Sequence, residues 1–134
     1  MSKILTEISA GELLDKISIL EIKLDKITNP KLLNEIKKEY EILNITKNKN
    51  INFSKELELL YKDLKETNEK LWNIEDKIRL CEKNSNFKEN FIKLARDVYF
   101  TNDKRSKTKL EINKILGSNI QEIKQYTKYL YYFE

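Results

Sequence analysis

Residues 54–84 read SKELELLYKDLKETNEKLWNIEDKIRLCEKN, and their apolar positions step by three and four without a break: Leu57, Leu60, Leu64, Leu71, Ile74, Ile78 and Cys81, with Thr67 in the one gap. That spacing sets one side of a long α-helix against a core. No glycine or proline interrupts the run, and Ser54 stands where a helix start needs a side-chain acceptor. The next stretch supplies a partner. After the polar turn Asn84-Ser85-Asn86, residues 88–116 carry Phe91, Ala95, Val98, Ile112 and Leu116 at helical spacing, and Gly117 follows as a C-terminal cap. Two long helices joined by so few residues must lie antiparallel.

Upstream, Ser9-Ala10-Gly11-Glu12 has capping-box spacing and predicts a helix over 10–28. Leu13, Ile17, Leu20, Leu24 and Ile27 form its main stripe. Ile19 and Ile22 lie on another side, as in a central helix or one with a second interface. Asn29-Pro30 ends that helix and opens the next, over 30–47, which is expected to bury Leu33, Ile36, Tyr40 and Leu43. Lys47 to Phe53 reads as a linker. A short helical segment is expected from Ile120 to Tyr132. Its Tyr126, Tyr129, Tyr131, Tyr132 and Phe133 either pack back on the helices or meet a partner. The expected architecture is an all-α, up-and-down bundle of four main helices with a coiled-coil-like hairpin, forming one domain over 1–134.

Two glycines and one proline in 134 residues suit long helices and leave too few turn residues for an all-β fold. Cys81 is the only cysteine and histidine is absent, which excludes an internal disulfide, Cys/His zinc sites and histidine acid–base chemistry. Glu66-x-x-Glu69 followed by Glu75 and Asp76 has half the outline of a paired acidic Mg²⁺ motif, but residues 88–116 lack the other half. No metal site and no cofactor are therefore expected. There is no membrane-length apolar run and no signal-peptide segment, so the expected location is cytoplasmic. The net charge of +4 lies wholly in residues 88–134, where ten Lys/Arg face six Asp/Glu. Asp97, Asp103 and Glu111 interrupt that basic surface and few aromatics interleave it, so nucleic acid is not the expected partner.

The polar exceptions to the stripes carry the functional reading. Asn102, Arg105 and Lys109 occupy the apolar face of the last long helix, and Asn68, Glu75 and Arg79 are inward-phased on the helix before it. Folding the two together sets Glu75 opposite Arg96 and Asn68 opposite the Asn102/Asp103 region, with Trp72 at the edge of that level. Cations have no low-cost place in a core. Either they meet an anionic occupant, or they form a buried ion-pair and amide layer, Glu75 with Arg96 or Arg79 and Asn68 with Asn102.

Three blocks resemble a bacterial family of small helical proteins of unknown function: Gly11 to Lys23, Asn68 to Arg79, and Phe91 to Tyr99 with Thr101 to Arg105. The resemblance covers nearly the whole chain and implies an association with glycosyltransferase and surface-polysaccharide genes. It brings no established catalytic residue. The leading expectation is a non-catalytic binding or accessory module for a small anionic or sugar-phosphate-like ligand, held by Asn68, Trp72, Glu75, Arg79, Arg96, Asn102 and Arg105. A second is a homodimer or partner adaptor using Ile19, Ile22, the hairpin and the tyrosine-rich tail. A third is an enzyme with Glu75 or Asp76 as acid or base.

Overall fold

A computed structural model describes residues 2–129. Their four helices are α1 (Ala10–Lys26), α2 (Pro30–Asn50), α3 (Lys55–Lys83) and α4 (Glu89–Leu116), with no strand among the described residues. The all-α bundle expected from the spacing is the fold observed.

The antiparallel α3–α4 hairpin is its frame, and two apolar clusters line the seam. Leu57 and Leu64 of α3 meet Ile112 of α4 and Leu14 of α1 at one end, while Ile74 and Cys81 meet Leu94 at the other. Helix α1 is the only helix packed on all three others. It passes from α4, where Gly11 lies against Asn113, to α3, where Glu21 accepts a hydrogen bond from Tyr61. The second apolar side of α1 is thus that of a central helix, with Ile22 buried inside the chain. Helix α2 packs on α1 alone and has no buried residue; Leu33, Ile36, Tyr40 and Leu43 are half-buried instead of forming core. A helix with a single neighbour leaves most of its circumference to water. Glu21 ties the layers together by accepting from both Tyr40 of α2 and Tyr61 of α3.

The helix starts follow local chemistry. Ser9, Asn29 and Ser54 each accept from a first-turn amide of the helix they open. Gly117 closes α4 in the left-handed conformation at φ 62°.

Two further expectations are corrected. Residues 47–50 are the last turn of α2, where Lys47 and Lys49 complement the helix dipole and Asn50 donates to the Thr46 carbonyl at 2.8 Å. Ile51 and Phe53 then pack against the core beside Leu57, shortening the linker. Residues 120–129 carry no helix. Beyond Gly117 the chain turns back along α4, and Tyr129 packs edge-on against Tyr99, so contact with α4 replaces helix formation there. The rest of the expected segment, 130–132, lies outside the described residues, as does Phe133.

Candidate functional site

The start of α1 is held by α4 as well as by its own cap. The Gly11 amide donates to Asn113 Oδ1 at 2.7 Å and the Ala10 amide to Ser118 Oγ at 2.9 Å, while Ser9 takes the Glu12 amide. Glu12 therefore fulfils only half of the capping box, because its carboxylate turns to Lys109 Nζ at 2.7 Å.

One turn further along α1, Asp15 lies in the interior, 1% exposed. Its carboxylate accepts from Arg105 through Nε at 2.9 Å and through Nη2, and from Asn68 Nδ2 at 2.9 Å. Asn68 Nδ2 also donates to Ser18 Oγ at 2.8 Å, and the Ser18 hydroxyl donates to the Asp15 carbonyl at 2.8 Å. Lys109 Nζ stands 3.7 Å from Asp15 and 3.7 Å from Glu122. Burial on its own pushes the Asp15 carboxyl up. The hydrogen bonds from Arg105 and Asn68 and the charges of Arg105 and Lys109 outweigh burial and hold it below its ordinary value. Arg105 is raised above its ordinary value by the hydrogen bond to Asp15, against the opposing effect of burial. The anion that the inward cations of α4 require is therefore the chain's own. A charge count over the two long helices finds a surplus only because it leaves out α1.

Beside this network lies an open cleft of about 430 Å³ that brings together six of the seven predicted site residues. Asn68, Trp72, Glu75 and Arg79 come from α3, and Asn102 and Arg105 from α4. Ile19 of α1, Leu71 and Asp76 complete the lining. Asn68 and Arg105 are the inner members, fixed by Asp15. Arg79 is an outer member, with its side chain 71% exposed and paired to Glu75 one turn back. Inward phase does not bury Glu75 and Arg79, because two packed helices enclose only a narrow seam and the flanking positions face water.

Arg96 is not part of this cleft. Its guanidinium lies over the Phe100 ring at 5.4 Å and lines a neighbouring cavity. Of the two partners expected for Glu75, Arg79 pairs with it and Arg96 does not, and Asn68 meets Asp15 and Ser18 instead of Asn102. Asn102 Oδ1 lies 3.4 Å from Arg105 Nη1. Lys109, which has a long enough stem to reach water, is instead enclosed by carboxylates.

Reasoning on stripes overlooked Asp15 and Ser18 as members of the network. A signal was present: Gly11, Asp15 and Ser18 follow one another at four and three residues, a small-and-polar stripe among the apolar positions of the helix.

The chain belongs to a family of unknown function, DUF6165, whose model matches residues 4–131. No curated protein and no solved structure matches it.

Proposed function

We propose that the chain, folding as one domain over 1–134, is a non-catalytic binding module whose ligand sits in the Trp72 cleft and presents hydroxyl groups, as a sugar does. One observation carries this reading: the cleft joins an indole to polar side chains that are planar and already oriented. Trp72 offers a flat apolar face with an N–H donor at its rim. Asn68 and Arg105 are held in place by Asp15, so a ligand meeting them does not have to order them first. Glu75, Asp76 and Asn102 add acceptors at the mouth.

A sugar agrees with the association with surface-polysaccharide genes that the resemblance implies. The phosphate part of the earlier expectation has less support in this cleft, since Arg79 and Arg105 already face Glu75 and Asp15.

Trp72 is the only tryptophan, so its emission reports on the cleft directly. Titration with neutral hexoses, N-acetylhexosamines and their 1-phosphates should give saturable quenching or a spectral shift for at least one neutral sugar. Trp72→Ala should weaken binding, followed by calorimetry, at least tenfold, or about 1.4 kcal/mol. A flat emission titration across the whole panel would overturn the reading.

The distal hairpin favours a second reading, a self-associating or adaptor protein. Leu80, Phe87 and Ile92 are each more than half exposed, and none of the other helices covers that end. On this reading light scattering finds a dimer that Leu80→Glu with Ile92→Glu converts to monomer. A wild-type monomer at high concentration would remove it.

A further inference from the structure

The segment after Gly117 builds a second hollow. Returning along α4, it places Lys124, Tyr126, Thr127 and Tyr129 across from Arg96, Tyr99 and Phe100, and borders a half-open hollow of about 880 Å³. The segment is anchored at both ends of this stretch. Glu122 faces Lys109 at 3.7 Å, and Tyr129 donates to Asp103 while its ring lies 5.5 Å from that of Phe100.

The lining has two characters. Among the described residues, its charged members are Arg96, Arg105 and Lys124 against the one carboxylate of Asp103. Arg105 is committed to Asp15, and Lys124 has Glu122 at 3.4 Å. Arg96 has no carboxylate at ion-pair distance among the described residues. It stands over Phe100, which leaves its planar fork of donors available. Apart from Asn102 and Thr127, the other described lining residues are aromatic, with Tyr99 46% and Tyr126 69% exposed to the hollow or to solvent.

We propose that this cavity is a binding site for a ligand joining a phosphoryl group to a planar ring, the chemistry of a nucleoside phosphate. The guanidinium of Arg96 matches phosphate oxygens two at a time, and the tyrosines give a base a face to stack on. The size is within the usual range for small-molecule sites. The proposal does not depend on the Trp72 cleft, with which this cavity shares only the wall of Asn102 and Arg105.

Calorimetric titration of the full chain with adenosine diphosphate and uridine diphosphate tests it, with adenosine and pyrophosphate as controls lacking charge or ring. At least one diphosphate should bind, each control at least tenfold more weakly. Arg96→Gln and Tyr126→Ala should each weaken that binding at least tenfold. Both side chains are exposed, so the melting temperature of the unliganded protein should hold, as should the response of Trp72 to sugars in Arg96→Gln. Absence of binding by both diphosphates, affinity unchanged in Arg96→Gln, or pyrophosphate binding as tightly as the nucleotides would each overturn the proposal.

Discussion

Asp15→Ala is expected to destabilise the protein by about 3–5 kcal/mol, the range for removing one partner of a buried charge pair. Lys109 in the interior and Arg105, a quarter exposed, would lose their common counter-ion, and buried Asn68 would lose one of its two acceptors. The exchange should lower the midpoint of denaturant unfolding while leaving the slope unchanged. In a double-mutant cycle, Asp15→Ala and Arg105→Ala together should cost less than the sum of the two, because the second change removes the charge that the first strands. Protonation acts on the same group. The folded-state pKa of Asp15 is depressed below that of the unfolded chain, about 3.9. The unfolded state therefore takes up the proton first as pH falls. The stabilisation is complete above the unfolded value and is lost as pH falls through the folded one. Asp15→Asn should flatten that part of the acid unfolding profile. An Asp15→Ala protein within 1 kcal/mol of wild type would contradict the network's role.

Gly11→Ala is expected to cost about 2–3 kcal/mol, through overpacking at a buried hydrogen bond. A Cβ at residue 11 would come to 2.5 Å from the Lys109 carbonyl oxygen and 2.9 Å from Asn113 Oδ1. The first of these is backbone in the middle of α4 and cannot swing aside. Relief means lifting α1 from α4, which stretches the Gly11–Asn113 hydrogen bond and opens the Lys109–Glu12 pair. Thermal unfolding should show a fall of roughly 10 °C for a chain of this size. Gly117 is the control. A Cβ there meets nothing, so Gly117→Ala should cost only about 1 kcal/mol, for the left-handed backbone alone. Equal losses at the two glycines would refute the contact argument.

The helices were legible because their signals are local. An unbroken three/four stripe, a serine or asparagine at each of three starts, and a glycine at the end of α4 act within a few residues of where they stand. Much of the candidate cleft was legible for a related reason. Angular phase marks Asn68, Glu75, Arg79, Asn102 and Arg105 on two helices whose antiparallel pairing follows from a short turn, and pairing sets which levels meet, with Trp72 at the edge of the same level. Arg96 fell away because phase within a helix does not say which side of a two-helix seam a flanking residue joins. The tail failed as a helix because its aromatic residues find rings on α4, a gain that helical propensity does not register.

Composition and periodicity alone settled the all-helical class, the α3–α4 hairpin and the list of polar residues that a core must account for. The route of α1 across that hairpin was decided only by tertiary packing, and with it the identity of the counter-ion. Asp15 and Arg105 lie 90 positions apart. No local rule connects residues so separated; they pair because a glycine lets α1 approach the α4 backbone closely enough for a carboxylate one turn later to reach a guanidinium. Spacing along the chain specifies which faces are buried, whereas the contacts between those faces depend on how the helices come to lie against one another.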